Sequence, residues 1–419
     1  MIRDILYLTV GTGAAQVASF AFIPYLSREY GPSQYGELGV ALAVSAVLTR
    51  LLGVQLNQAM LISDDARERS AVFVSSVAAM LAQVLVLAVL AELAVRLLPS
   101  GPLSRSADGL VAPVLALGLA SAMHTLLHAW AACHSRYRAM GTVVLLRTLA
   151  VCLFQVALAD GPTPNGLVYG FVLGEAVILA FALWLMSVGE HRLVFHRVSR
   201  ADVGACFRRH RQIVLFATGR ELLFSIAAAI PVTAVSALFG SVVAGQFAMA
   251  MRLLDAPVNL TYAALLTTTS RAFAATRSDP TRASADLRRW VLNLAALGAA
   301  MLVATVVLAD WAVDLLLGPG WDSTAAFLIV IAVWKAIGFS KAPATTFLYV
   351  SGRDRRTFLY QLGATSALLL GLWAASAAEL AAIAAVGVIA AVGLAVDLAF
   401  IVTAFAIARD AERVHSESA

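Results

Sequence analysis

The sequence predicts an all-α integral membrane protein of about 12 transmembrane helices, built as two six-helix bundles. Three observations predict it. The chain of 419 residues is 61% hydrophobic and only 13% charged, with a mean hydropathy of +0.84. Roughly a quarter of the residues in an ordinary soluble domain are charged, so this chain is too apolar to cover itself in water. Its arginines crowd into alternate loops. A short motif also occurs twice, half a chain apart. Tyr30-Gly31-Pro32-Ser33-Gln34-Tyr35-Gly36 returns as Phe239-Gly240-Ser241-Val242-Val243-Ala244-Gly245. Both copies read aromatic-Gly-x4-Gly, and Gly240 follows Gly31 by 209 residues. Ile23-Pro24 is echoed by Ile230-Pro231, two residues out of step. Matches in one order at a half-length offset indicate an internal duplication.

The spans follow in order from windows of about 19 residues. They fall at 5–27, 37–62, 71–98, 110–133, 140–159 and 166–187, then at 212–237, 242–269, 289–309, 324–349, 357–377 and 380–408. Each reaches or nears the ~20 residues that cross a bilayer as a helix. Helices are required because lipid offers the backbone no hydrogen-bond partners. The first run is long enough to span, so it is expected to stay as a span and not to be removed as a signal peptide.

Orientation follows from arginine. With the N-terminus inside, the inner loops hold Arg67 and Arg69, Arg136 and Arg138, a cluster from Arg192 to Arg211, another from Arg271 to Arg289, and Arg353 to Arg356. The outer loops hold little beyond Arg28 and Arg105. This bias places both termini in the cytoplasm and requires an even number of spans. Six spans per half make the halves parallel repeats, related by a pseudo-two-fold along the membrane normal. The expected organisation is an N-terminal bundle (1–188), a basic cytoplasmic linker (189–211), a C-terminal bundle (212–409) and a tail (410–419). The linker also suits contact with anionic lipid heads. The longest outer loop, Leu98 to Gly109, leaves no room for a catalytic domain, so no enzyme activity is expected. No cofactor, metal or nucleic-acid motif is present. Cys133, Cys152 and Cys206 lack ligand spacing and read as small buried apolar residues.

Charges inside spans are functional candidates by default. Arg50, Arg147, Arg252 and Lys335 sit near span centres, and facing lipid they would together cost on the order of 10–14 kcal/mol. They are therefore expected to face protein or water, giving a wet cavity with a positive wall suited to an anion. Arg50 begins a polar stripe that Asn57 and Gln58 continue on the same helix face. Arg252 could instead pair with Asp255, one turn away. Arg220 and its neighbour Glu221 point in different directions and need other partners, and Arg220 could snorkel. Lys341 lies about 120° round the helix from Lys335. Glu175, Asp255 and Asp397 are candidates for a coupling ion, or for pairing with these cations. His124 and His128 share a face, read as a hydrogen-bonded polar face and not as half of a metal site. Pro24 and Pro231, at matching places in the repeat, are candidate hinges or merely tolerated kinks.

The Arg28-x2-Gly31-x4-Gly36 turn, Leu52-Gly53-x-Gln55-Leu56-Asn57, Phe239-Gly240-x4-Gly245, Leu317-Gly318-x2-Trp321 and the Gly352-Arg353 turn occur in an order that resembles the polysaccharide-transport branch of the multidrug/oligosaccharidyl-lipid/polysaccharide (MOP) exporter superfamily, known for O-antigen flippases of the Wzx type. The resemblance covers nearly the whole chain. It implies a V-shaped pair of bundles around a central cavity. It also implies transport of an undecaprenyl-diphosphate-linked oligosaccharide from the inner to the outer leaflet of the bacterial plasma membrane, for surface polysaccharide synthesis. Arg28, by its match to the turn, and Arg50, Arg147, Arg220, Arg252, Lys335 and Lys341, by location, would hold the diphosphate and acidic sugars. Membrane lipids, an H+ or Na+ gradient, and a polysaccharide polymerase or glycosyltransferase are the candidate partners. The alternative is an ion-coupled multidrug or organic-cation antiporter of the same superfamily, which needs an acidic cavity.

Overall fold

A computed structural model describes residues 2–63, 65–97, 110–161, 165–188, 198–275, 279–351 and 354–418. Among them there is helix and no strand. The helices are α1 (Ile2–Glu29), α2 (Pro32–Leu52), α3 (Leu56–Ile62), α4 (Ala66–Leu97), α5 (Val111–Cys133), α6 (Tyr137–Ala157) and α7 (Gly166–Ser187). After them come α8 (Arg200–Arg209), a π-helical turn (Ile213–Ala217), α9 (Thr218–Ala275), α10 (Pro280–Leu316), α11 (Thr324–Val350), α12 (Asp354–Ala377) and α13 (Ala382–Ser418). Ten helices among the described residues are long and apolar enough to cross a membrane. The 28-residue α1 is not one of the ten. The 58-residue α9 counts once, although Gly240 breaks it with φ 82° and ψ 174°. That break lies where the sequence separates the seventh span from the eighth. The Leu98–Gly109 loop, linker residues 189–197 and Gly352-Arg353 lie outside the described residues.

The chain forms two compact units. One holds Met1–Tyr30 and Glu37–Ala229, the other Gly31–Gly36 and Ile230–Ala419. In the first, α1 packs on α6, α6 on α7, and α5 on α7, α3 and α4. Its core gathers Leu52, Leu56, Met60, Phe73 and Trp130, with the Phe73 and Trp130 rings edge to face at 5.5 Å. In the second, α10 packs on α11, and α13 on α11, α10 and α12. Phe273, Leu287, Phe347, Leu348 and Phe400 form its core. Between membrane helices, association rests on close packing and not on expulsion of water, so small residues sit at the crossings. A Cβ on Gly174 of α7 would come 2.6 Å from the Val151 backbone of α6, and one on Gly298 of α10 would strike the Ala336 carbonyl of α11.

The repeated glycine motifs meet inside the second unit. A Cβ on Gly36 would collide with the carbonyl oxygen of Ser241, and one on Gly245 with the carbonyl oxygen of Pro32. Ser241 is the repeat mate of Pro32 and Gly245 that of Gly36, at the offset of 209. Each copy therefore presses its second glycine on the first turn of the other, as a two-fold relation requires. The Ser33 and Ser241 hydroxyls bond at 2.7 Å. The Leu317-Gly318-x2-Trp321 turn joins the same cluster. Gly318 and Gly320 have φ of 80° and 88°, Trp321 is buried edge-on against Tyr35 at 5.3 Å, and the Gln246 amide donates to the Gly320 carbonyl at 3.2 Å. Three motifs that carry the family resemblance thus build scaffold.

One span departs from expectation. The stretch 37–62 is not a single helix, because Gly53–Gln55 form a break between α2 and α3, with φ of 36° at Val54 and 49° at Gln55. A β-branched valine at positive φ is strained, at about 1–3 kcal/mol. The break is tolerated at membrane depth because it is buried in protein. Leu52, Val54, Gln55 and Leu56 are all buried. Short-range bonds satisfy part of its backbone, Val54 N–H to Leu51 O at 3.3 Å and Leu56 N–H to Gly53 O at 3.2 Å. α1 and α9 run helical through Pro24 and Pro231.

The basic helix α8 lies outside the spans. Ser199 caps it. Its hydroxyl accepts from Asp202 N–H at 3.2 Å, and its own N–H donates back to the Asp202 carboxylate at 2.9 Å. These backbone and hydroxyl bonds from Ser199, with Arg67 nearby, hold the Asp202 carboxyl below the usual carboxylate range. A carboxyl depressed on folding stabilises above its unfolded value, and the benefit is lost as pH falls through its folded value. The first turn of α8 is therefore expected to hold at neutral pH and to fray in acid, below about pH 4. Hydrogen exchange of the Asp202 and Val203 amides checks this, and Ser199→Ala should weaken the pH dependence without removing it, because the backbone N–H bond to Asp202 and Arg67 remain. Arg209 and His210 reach Glu68 at 3.2 and 3.3 Å, which ties this segment to α4. None of the three cysteines is in a disulfide, and burial pushes the Cys206 thiol up, away from the reactive thiolate.

Candidate functional site

Arg50 ends α2, one turn before the break. Its side chain stays 44% exposed because two cavities of the first unit open on it. One, of about 300 Å³, runs between Ala43, Ala46 and Arg50 of α2 and Glu221, Phe224 and Ser225 of α9. The other, of about 240 Å³, is lined by Ser45, Thr49 and Arg50 with Ser121 of α5 and Arg147 of α6. A small third pocket joins Arg50 to Gln55, Asn57 and Thr125. The expected polar stripe is thus corrected. Arg50 and Asn57 do not share a helix face, but the break turns Asn57 back to the same pocket. Gln58 instead bonds the Gln55 side chain at 3.1 Å.

The in-span cations are mostly paired. Arg147 Nε donates to Glu175 Oε1 at 2.6 Å, and Arg147 Nη2 reaches toward Ser121 Oγ at 3.5 Å. Glu175 is 1% exposed and Arg147 34%. His124 Nε2 lies 3.3 Å from Glu175 Oε2, so the histidine belongs to this buried group. Among the described residues no His/Cys/Asp/Glu cluster could hold a metal.

In the second unit Lys335 Nζ meets Asp255 Oδ1 at 2.5 Å and lies over the Trp334 ring. Lys341 Nζ meets Asp397 Oδ1 at 2.7 Å. The Trp334 indole N–H donates to the other Asp397 oxygen at 3.0 Å. Asp255 therefore pairs with a lysine 80 residues away, where the sequence offered Arg252 as its partner. A residue one turn along the helix loses to a cation on a packed neighbour. Arg252 is half-buried on α9. Arg28 is exposed at the end of α1, its guanidinium donating to the Pro24 carbonyl at 3.0 Å.

Arg220 and Glu221 form the last group, and here too the sequence expectation needs correcting. The long arginine folds back, placing Arg220 Nη2 3.4 Å from Glu221 Oε1. The other oxygen, Glu221 Oε2, lies 3.9 Å from Arg50 Nη1. Two guanidinium groups thus share one carboxylate at long range. Lys335, Lys341 and Arg147 each hold a carboxylate closely. Positive charge at Arg50 and Arg220, beside the larger cavity, is less closely neutralised than at those three. Guanidinium presents a planar fork of donors that fits phosphate oxygens two at a time.

A family described as "Polysaccharide biosynthesis protein" matches residues 25–326. No curated protein sequence matches the chain. Solved structures share its fold at low identity. The inward-facing conformation of a multidrug resistance MATE family transporter of the MOP superfamily aligns over 97% of this chain and 96% of its own, with TM-score 0.71 and 14% identity. The lipid II flippase MurJ, in an inward closed conformation, aligns over 97% and 91%, with TM-score 0.70 and 10% identity. A MOP superfamily transporter from Pyrococcus furiosus, whose binding pocket is described as of reverse polarity, aligns over 97% and 94%, with TM-score 0.59 and 12% identity. With the fold of the MOP-superfamily transporters and a family match over most of its length, this multi-pass membrane chain belongs to the polysaccharide biosynthesis protein family.

Proposed function

We propose that the protein is a flippase, moving an undecaprenyl-diphosphate-linked oligosaccharide from the inner to the outer leaflet of the bacterial plasma membrane, with both termini cytoplasmic. The observation that carries this reading is Arg50, exposed to two cavities and sharing one carboxylate, Glu221, at long range with Arg220. The family match supports a role in polysaccharide synthesis. In this proposal Arg50 takes the diphosphate, with Arg147 and Arg220 flanking it. Arg28, Arg252, Lys335 and Lys341 serve as secondary cationic contacts along the path. Alternating access carries the head group across while the polyprenyl tail stays in lipid, with Pro24 and Pro231 as hinges. The sugars need no cofactor and no catalysis. A gradient of H+ or Na+ would bias the states through differential affinity, with Glu175, Asp255 or Asp397 as the coupling carboxylate.

Charge selectivity tests the proposal. A fluorescent polyprenyl diphosphate should bind the purified protein, and Arg50→Ala should weaken it by about tenfold or more, the worth of a charge-assisted hydrogen bond. A lipophilic organic cation should not bind. The opposite preference, a bound cation and no bound diphosphate, would favour the antiporter alternative.

A further inference from the structure

We propose that Glu221 is a built-in counter-ion for the cavity, seated where the ligand's phosphate goes and displaced when it binds. The inference rests on the flippase reading of Arg50 and extends it to a carboxylate that reading leaves unused. Glu221 spreads its two oxygens between two arginines, at 3.4 Å from Arg220 and 3.9 Å from Arg50. The other in-span pairs are shorter, at 2.5 Å for Arg147–Glu175 and Lys335–Asp255 and 2.7 Å for Lys341–Asp397. Each of those three acids has a cation close against it. Glu221 is held loosely and lines the larger cavity itself. Its geometry is that of a weak ligand bridging two guanidinium groups, which is what a diphosphate does with more charge and more oxygens.

The energetics favour exchange. Arg50 and Arg220 are 44% and 38% exposed, and ion pairs that open to solvent are worth little. A diphosphate offers each guanidinium a bidentate, charge-assisted contact. Glu221 thus offsets one of the two positive charges while the cavity is empty. When the ligand departs, the carboxylate can retake its seat, which shortens the ligand's stay. Glu221 then sets affinity and release without contributing attraction of its own.

The experiment measures binding of farnesyl diphosphate to purified full-length protein in nanodiscs, for wild type, Glu221→Gln, Glu221→Asp and Arg50→Ala/Glu221→Gln. Size-exclusion and thermal profiles establish that each variant is folded. Glu221→Gln should bind about three- to tenfold more tightly than wild type, the worth of two partly exposed ion pairs. Glu221→Asp keeps the charge but is one methylene too short to bridge both arginines, so it should tighten binding as well. The gain should vanish in the double variant. If Glu221→Gln tightens binding and Glu221→Asp does not, the carboxylate acts only through its field and displacement is wrong. If neither variant tightens binding while wild type binds through Arg50, the counter-ion proposal fails and the flippase reading stands. If no variant and no wild-type protein binds the diphosphate, the flippase reading fails and takes this proposal with it.

Discussion

Arg147→Ala is expected to destabilise the protein by about 3–5 kcal/mol, because it leaves a buried carboxylate without its cation. Glu175 is 1% exposed and takes its closest bonds from Arg147 at 2.5–2.6 Å. Among the described residues His124, at 3.3 Å, is the other neighbour placed to help, and it carries charge only when protonated. The reverse substitution should cost less. Arg147 is 34% exposed beside the 240 Å³ cavity, so without Glu175 its guanidinium can be hydrated there. The asymmetry separates a buried pair from a surface one, for which both truncations cost about 0–1 kcal/mol. Thermal unfolding in detergent, for Arg147→Ala, Glu175→Gln and the double variant, checks it. The double variant should be more stable than Arg147→Ala alone, since no charge is then left buried.

Gly245→Ala and Gly36→Ala are expected to be the most disruptive of the small substitutions. Each added methyl would overlap a backbone carbonyl, that of Pro32 or of Ser241. A carbonyl in a helix turn cannot swing aside as a side chain can. Overpacking costs about 1–3 kcal/mol where neighbours can shift, and more where they cannot. Gly31→Ala and Gly13→Ala are the controls, because nothing lies within 4 Å of a Cβ at either position. The expected result is a large loss of folded protein by fluorescence-detected size exclusion for Gly36 and Gly245, and little change for Gly31 and Gly13. Equal tolerance at all four would show that the two repeats do not meet as described.

The spans were legible because hydropathy reports burial in lipid directly. The 166–187 span matches α7, and the 324–349 span ends one residue from the end of α11. The duplicated motif was legible too, as was the break near Gly240, because only glycine takes φ of 82° without strain. The break at Gly53–Gln55 was not. A 19-residue window averages over three residues, and Val54 is a residue that local propensity would never place at positive φ. The signal there was Gly53 followed by Gln55 and Asn57, polar residues inside an apolar run. The cost of facing lipid singled out the in-span arginines as candidates. Their partners were not legible. Which carboxylate meets which cation depends on which helices touch, and sequence spacing says nothing of that for Lys335 and Asp255, or for Arg50 and Glu221. The chance neighbour in sequence, Asp255 for Arg252, was the misleading one.

Leaflet translocation in proteoliposomes tests the central claim most directly. A fluorescent undecaprenyl-diphosphate oligosaccharide is placed in one leaflet, with and without an H+ or Na+ gradient, and protection of the label from a membrane-impermeant quencher is followed. Wild type should transfer the label across, and Arg50→Ala, equally well folded, should be slower by about tenfold or more. Transfer at the wild-type rate by Arg50→Ala would contradict the role given to Arg50, and no transfer by well-folded wild type under either gradient would contradict the flippase itself.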